Sequence, residues 1–341
     1  MSALWPKGLW LMSGLPLNPD RPTSFERQLR LLAAGWGRRG VEAAVLGPRD
    51  RGPAGRPGIL LGYPDQFPFL AEAAGPLFLW AQCSRPPDPR GFGEAAAVPL
   101  TARTAAFLAE AGVGRTGPVI PHAVDTSFFR PPSPEERARA RRALGVEGRF
   151  CLGAVGAHTY RKRFDLVLAA CALLRERRPG AMLVLHTDRQ MSPGGTDLVE
   201  LAGRLGLGDG LVLSTGELPE AALRELYWAL DVLVNLSEWE GFGLPVAEAM
   251  ACSLPVATHR VQGPGELVPY TELMAGDSLR REEAGRQLLE ARPATVAGLL
   301  AAADNEQLRR LGGQGRKTAE RCFSLHRVLG AWDALLRPGR G

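Results

Sequence analysis

Short β-like runs alternate with helical runs twice along this chain of 341 residues, and that rhythm restricts the fold more than any other feature. In the first third, strands are expected at Leu9–Met12, Val41–Leu46, Ile59–Tyr63, Leu77–Ala81, Ala95–Leu100 and Val119–Ile120. Thr23-Ser-Phe-Glu26 has the spacing of a capping box, in which hydroxyl and carboxylate satisfy free backbone donors at a helix start. Behind it Phe25, Leu29, Leu32, Ala33 and Trp36 recur on one helical face. Further helices are expected near Phe67–Ala74 and Ala102–Ala111. The second half repeats the pattern, with strands at Phe150–Val155, Met182–Thr187, Leu211–Ser214, Val232–Leu236 and Pro255–Thr258. Helices at about Phe164–Arg178, Asp197–Leu205, Glu220–Ala229 and Pro245–Cys252 separate them, and the tail from Pro293 to Leu336 reads as helical throughout. Alternation of this kind specifies an α/β chain with parallel sheets wrapped by helices. The length suits two such domains.

Between the halves, Pro121-His-Ala-Val-Asp-Thr-Ser-Phe-Phe-Arg-Pro-Pro-Ser-Pro134 carries four prolines and breaks the rhythm, so the domain boundary is expected there. Other classes fall away quickly. The longest apolar stretches, such as Ala297–Ala303, are far short of the ~18 residues a membrane span needs. The N-terminus lacks the basic, apolar and cleavage regions of a signal peptide, so a cytosolic location is expected. Five scattered cysteines, none in a Cys-x-x-Cys pair, and five isolated histidines point to neither a disulfide framework nor a metal site.

The net charge of +5 rests on 38 arginines against three lysines, Lys7, Lys162 and Lys317. The arginines are dispersed, with no aromatic-basic interleaving, so no nucleic-acid partner is expected. A weak attraction to anionic membrane surfaces, at the inner membrane face, stays open.

Ligands of open α/β sheets bind beyond the carboxyl ends of strands, and two such loops carry reactive residue types. One is Ser237-Glu-Trp-Glu240-Gly-Phe-Gly-Leu-Pro-Val-Ala-Glu248. Here Pro245 fits a first helical position, and the amides of Gly243, Leu244, Val246 and Ala247 are expected to form an anion site at the helix start. Glu240 precedes the helix and Glu248 is placed in its first turn. They could accept hydroxyl hydrogen bonds from a sugar or ribose; equally, Glu248 could complement the helix dipole and Glu240 be a solvated loop acid. The other loop is Gly156-Ala-His-Thr-Tyr-Arg161-Lys162-Arg163, whose three cations suit a diphosphate or an ordinary basic turn. One of the chain's three lysines stands in it, and lysine offers a compact charge that arginine does not replace.

Glu240-Gly-Phe-Gly-Leu-Pro-Val-Ala-Glu248-Ala-Met-Ala-Cys-Ser-Leu-Pro-Val256 resembles the signature of the family-four retaining glycosyltransferases, whose two glutamates are separated by seven residues. Val119–Pro131 resembles that family's interdomain joint and Arg161–Asp165 its diphosphate segment; Thr215-Gly-Glu-Leu218 and Phe323-Ser324 also fall where the family has counterparts. The resemblance implies the GT-B fold, two Rossmann-like domains facing across a cleft. It divides the chain into a shortened acceptor-side domain at 1–121, a linker at 122–134, a nucleotide-sugar domain at 135–324 and a helix at 325–337 returning to the first domain. It further implies catalytic roles for Glu240, Lys162 and Arg161, with Glu240 on the transferred sugar and the two cations on the diphosphate. Donor binding would fall to Glu248 on the ribose, with Gly241, Phe242, Gly243, Leu244, Gly156, His158 and Leu218 around it. No metal or other cofactor is implied. Retention in this family is ascribed to front-face attack, with the departing phosphate helping to deprotonate the acceptor.

Three departures stand out. The family's second cation behind the first strand is replaced by Ala157-His158-Thr159, so His158 or Arg161 must substitute. Ser13-Gly-Leu-Pro16 lacks the family's glycine pair, and Leu79–Ser84 lacks its histidine. The leading expectation is transfer of a hexose from a nucleoside-diphosphate sugar onto a glycan, lipid or small-molecule hydroxyl. The alternative is a catalytically weak or inactive nucleotide-binding regulatory subunit. A nicotinamide oxidoreductase is disfavoured, because no Gly-x-Gly-x-x-Gly follows the opening strand of either half.

Overall fold

Alternating large side chains on β1 (Leu9–Ser13) build two cores at once. Leu9 and Leu11 belong to one buried cluster, Trp10 and Met12 to another. Such burial on both faces is the mark of a parallel sheet covered by helices. A computed structural model describes residues 8–18, 23–50, 52–53, 55–67, 76–191, 196–283 and 286–337. The chain divides into two units, Met1–Asp125 with Arg321–Gly341, and Thr126–Glu320.

The first unit is a five-stranded parallel sheet in the order β2-β1-β3-β4-β5, where β2 is Ala43–Leu46, β3 Gly58–Gly62, β4 Leu77–Ala81 and β5 Ala96–Pro99. On one face lie α1 (Ser24–Gly37) and the C-terminal helix Leu325–Leu336, which share a cluster with Leu29, Leu32, Trp36, Val328, Leu329 and Trp332. Trp36 Nε1 donates to Asp333 at 2.8 Å, and Trp332 stands edge-on to Trp80 with ring centres 5.4 Å apart. On the other face α2 (Ala102–Glu110) contributes Phe107 and Leu108.

Only half of the expected capping box forms at α1. The Thr23 hydroxyl accepts from the Glu26 amide at 3.2 Å, but the Glu26 carboxylate accepts from the Asn18 amide and from Arg30 instead. Val119–Ile120 is not a strand. Pro118 and Pro121 remove ladder donors on either side; the Ile120 amide still donates to Pro99 O at 2.9 Å, but its carbonyl accepts from Trp80 Nε1 at 2.6 Å. The helix expected near Phe67–Ala74 falls largely outside the described residues.

The second unit opens with a helix that the sequence reading left out, α3 (Pro134–Leu144). Its signals are all present: the Ser133 hydroxyl accepts from the Glu136 amide, the Glu136 carboxylate accepts from the Ser133 amide, and Pro134 occupies the first turn. Chain order then runs β6 (Phe150–Val155), α4 (Phe164–Arg175), β7 (Ala181–Thr187), α5 (Leu198–Arg204), β8 (Leu211–Thr215), α6 (Glu220–Ala229), β9 (Val232–Val234), α7 (Leu244–Ala251) and β10 (Val256–His259). After them come α8 (Pro264–Leu267), β11 (Met274–Ala275), a hairpin of β12 (Leu279–Glu283) and β13 (Arg286–Glu290), α9 (Pro293–Ala302) and α10 (Asn305–Thr318). The hairpin was not foreseen. The tail is helical in pieces, broken at Ala303 and widened into a π-turn at Ala319–Phe323.

The six parallel strands are ordered β11-β10-β9-β6-β7-β8. Strand order therefore reverses between β6 and β9, and the loops leaving their carboxyl ends rise side by side. No described helix is long and apolar enough to cross a membrane.

Candidate active site

The reversal point between β6 and β9 is where an open α/β sheet leaves a crevice for ligands. Both loops singled out from the sequence start there. The first makes a short 3₁₀ turn at Tyr160–Lys162 and ends with Arg163 in the left-handed region, φ 49°. The second runs from Asn235 to Gly243. They are joined directly, since the Glu238 amide donates to Arg161 O at 2.8 Å.

At their junction lies Glu240, only 5% exposed. Arg161 Nη1 donates to Glu240 Oε2 at 2.7 Å, while Lys162 Nζ and Ser237 Oγ (2.9 Å) both donate to Oε1. The Arg161 guanidinium also lies 4.8 Å from the centre of the Trp239 ring. Burial alone would raise the Glu240 pKa, but Lys162 and Arg161 outweigh it and hold the carboxyl down at about 2. Glu240 is therefore an anion at neutral pH, gripped by two cations. The three groups carry a net charge of one positive. The alternative of a solvated loop acid is excluded by this burial.

Lys162 itself is 7% exposed, and its stem runs past Gly156. A Cβ on Gly156 would lie 3.0 Å from Lys162 Cε and 3.2 Å from Nζ, so the absence of a side chain there gives the lysine its path. Arg163 serves differently from its two neighbours. It donates to Asp165, to Glu238 at 2.9 Å and to Glu290 at 2.7 Å, tying the loop to α4 and β13. Of the three cations of this loop, Arg161 and Lys162 meet at Glu240 and Arg163 does not.

At α7 the backbone turns through Gly243, φ 99°, where a Cβ would meet Pro264 Cγ at 3.1 Å. Four outward amides were expected. The Val246 and Ala247 amides instead donate to Gly243 O at 2.9 and 3.2 Å, so the helix's own carbonyls leave the Gly243 and Leu244 amides at its start. Phe242 turns its ring inward, 2% exposed, and Gly241 follows Glu240 directly. Glu248 belongs to the second turn of α7, not the first, which removes most of its value as a dipole complement. Half-buried, it accepts from the Tyr227 hydroxyl at 2.7 Å.

The remaining predicted residues lie to the side. His158 is 5% exposed; its amide donates to Asp188 at 2.7 Å, its ring lies 5.7 Å from Phe164, and its buried Nδ1 has no hydrogen-bond partner. Leu218, half-buried, sits in the loop between β8 and α6, the helix that supplies Tyr227. The structure thus brings Arg161, Lys162 and Glu240 into one cluster and sets Glu248 on the adjoining helix. Sequence reasoning passed over Ser237, Trp239 and Tyr227. Ser237 and Trp239 were inside the motif quoted for its glutamates, but Tyr227 lies 21 residues before its partner on another helix and gave no local signal.

Residues 136–275 match the family model described as glycosyl transferases group 1. The D-inositol 3-phosphate glycosyltransferase of Segniliparus rotundus is 32% identical over 230 residues, covering 65% of this chain and 47% of the relative. The lipopolysaccharide core biosynthesis mannosyltransferase LpsB of Rhizobium meliloti is 34% identical over 176 residues, covering 51% and 47%. The chain spans about half the length of these curated relatives. Among solved structures, HepE of Anabaena in complex with UDP and glucose superposes with a TM-score of 0.76 at 15% identity, covering 96% of this chain and 99% of that one. Residues 136–275 of the second unit are thus similar to the group 1 glycosyltransferases, and the fold of the chain is GT-B.

Proposed function

We propose that this chain transfers a hexose, with retention, from a nucleoside-diphosphate sugar to an acceptor hydroxyl on a glycan, lipid or small molecule. The carrying observation is the buried grip of Arg161, Lys162 and Ser237 on Glu240 at the mouth of the sheet, one turn from the α7 amides. A diphosphate entering there meets two fixed cations and a helix start, which stabilise charge as it develops on the leaving group. In this reading no metal is needed for that step. Glu240 faces the transferred sugar, and Glu248, in the second turn of the helix that follows, takes the ribose hydroxyls. Attack from the leaving-group face would let the departing phosphate accept the acceptor's proton. That a curated relative is named as an inositol phosphate glycosyltransferase, another as a mannosyltransferase, and that a solved structure of the same fold holds UDP and glucose all support this reading.

Titrating UDP, GDP, ADP and CMP against the purified protein, followed by product analysis with the matching donor sugars, tests it. Tight diphosphate binding without transfer to any acceptor would favour the regulatory subunit, the reading that the absent histidine in Leu79–Ser84 supports. Glu248→Gln keeps the shape but loses the charged acceptor. Nucleotide affinity should then fall roughly ten- to a hundredfold, since hydrogen bonds to a charged group contribute about 1.5–3 kcal/mol. Unchanged affinity in calorimetry would remove Glu248 from the ribose.

A further inference from the structure

His259 closes β10 and is completely buried, yet nothing in the donor scheme uses it. Its place follows from register. β9 and β10 run parallel with Leu233 opposite Val256 and Val234 opposite Ala257, and the Asn235 amide continues the ladder to Ala257 O at 2.9 Å. The ends of the two strands therefore lie side by side, and the His259 ring reaches the loop that begins at Asn235. His259 Nε2 is 2.8 Å from the carbonyl oxygen of Ser237, and Nδ1 is 3.0 Å from Ser278 Oγ.

These partners define the proton positions. A carbonyl oxygen only accepts, so Nε2 carries a hydrogen and donates to it. In a neutral ring Nδ1 then accepts from the Ser278 hydroxyl. Burial disfavours the imidazolium, and the charge of Arg163, the cation facing it across the Glu238 loop, disfavours it further. The ring is thus held in one tautomer between two serines. Ser237 is the residue whose own hydroxyl donates to Glu240 Oε1.

We propose that His259 is a positioning residue for Glu240: its Nε2–H pins the Ser237 carbonyl, and the pinned Ser237 directs its hydroxyl to Oε1. The carboxylate is then fixed from three sides, by Ser237, Lys162 and Arg161, before any sugar arrives. Without the imidazole the Ser237 carbonyl loses its buried donor, and the first turn after β9 is free to shift. Glu240 would keep its cations and lose its aim.

Nitrogen-15 NMR of the imidazoles tests the first link directly, and does so whether or not transfer is detected. At neutral pH His259 is expected as the neutral Nε2-protonated tautomer; an Nδ1-protonated or charged ring overturns the proposal. The second link rests on the transfer reading above. His259→Leu should lower turnover about tenfold, the size of one lost hydrogen bond to a positioned group, with bare nucleoside-diphosphate affinity within about twofold of the parent. His259→Gln, which returns an N–H donor near the same place, should recover most of the rate. Equal loss of affinity and turnover, or no loss of turnover, overturns the positioning role. Should the leucine variant fail to fold, Ser278→Ala removes only the Nδ1 partner. It should slow turnover about threefold and leave diphosphate binding intact, and an unchanged rate counts against the proposal. If the parent transfers no sugar, the function reading fails by itself. A crystal structure of the His259→Gln or Ser278→Ala variant then decides this one by whether Ser237 Oγ leaves Glu240 Oε1 in the variant that loosens the ring.

Discussion

Lys162→Ala will weaken nucleoside-diphosphate binding about a hundredfold and leave the nucleoside nearly unaffected. The lysine contributes the whole excess charge of the cluster: with Glu240 paired to Arg161 at 2.7 Å, removing Nζ takes the net charge from one positive to zero. A charge-assisted bond to phosphate contributes about 1.5–3 kcal/mol, and a hundredfold loss corresponds to about 2.8 kcal/mol. The nucleoside carries no phosphate and loses none of this. Packing has to be separated from charge, because the stem fills a buried channel beside Gly156. Lys162→Met keeps most of that volume and should lose as much diphosphate affinity as alanine while remaining the more stable of the two. Lys162→Arg should not restore binding, since a planar fork is wider than the ammonium that already stands 3.2 Å from where a Gly156 Cβ would be. Calorimetry on the three variants with nucleoside and diphosphate checks all of this. Equal losses for the two ligands would show that Lys162 supports the loop rather than the phosphate.

Most of the sheet was legible because parallel strands buried on both faces are written as short runs of large apolar residues. Leu77–Ala81 and Phe150–Val155 have the expected bounds, and their neighbours differ by a residue or two at the ends. Errors arose where local signals conflicted or were outvoted. Val119–Ile120 has strand-forming side chains, but its flanking prolines decide the matter. Ser133 to Glu136 spells a capping box inside a segment read for its prolines alone, and Pro134 proved to be the first residue of a helix. The hairpin of β12 and β13 has no strong alternation in its charged first strand.

The site divides along the same line. Glu240, Lys162 and Arg161 were visible as residue types in two loops at strand ends, but their mutual pairing is a tertiary fact. Arg163 could not be told from its neighbours by sequence, since only the left-handed turn at that residue swings its guanidinium toward Glu238 and Glu290. Tyr227 and His259 were invisible as functional groups for a related reason. Their contacts are to elements distant in sequence, Tyr227 at Glu248 and His259 at Ser237 and Ser278, and neither forms part of a local pattern.

Glu240→Gln should slow turnover by about a hundredfold or more while bare diphosphate binds as tightly as before, or tighter. In the free protein the carboxylate competes with phosphate for the same two cations, so removing its charge frees both. What is lost is the anion that would face the sugar as positive charge develops on it, an interaction made mainly in the transition state. The same substitution destabilises the empty protein, because breaking a buried ion pair by removing one partner costs about 3–5 kcal/mol. Two measurements follow from that cost. Saturating diphosphate should raise the Tm of the variant more than that of the parent, since the ligand supplies the missing counter-charge. The acid side gives the second. Glu240 titrates at about 2 in the folded chain, against 4.5 as its ordinary value. Its stabilisation is therefore complete above about pH 4.5 and is lost as the pH falls toward 2. The stability gap between parent and variant should narrow across that window and nowhere above it. A gap that stays constant from pH 6 to pH 3, or a diphosphate that binds the variant more weakly, would mean that Glu240 does not hold these cations as a carboxylate, and its proposed place against the transferred sugar would fall with it.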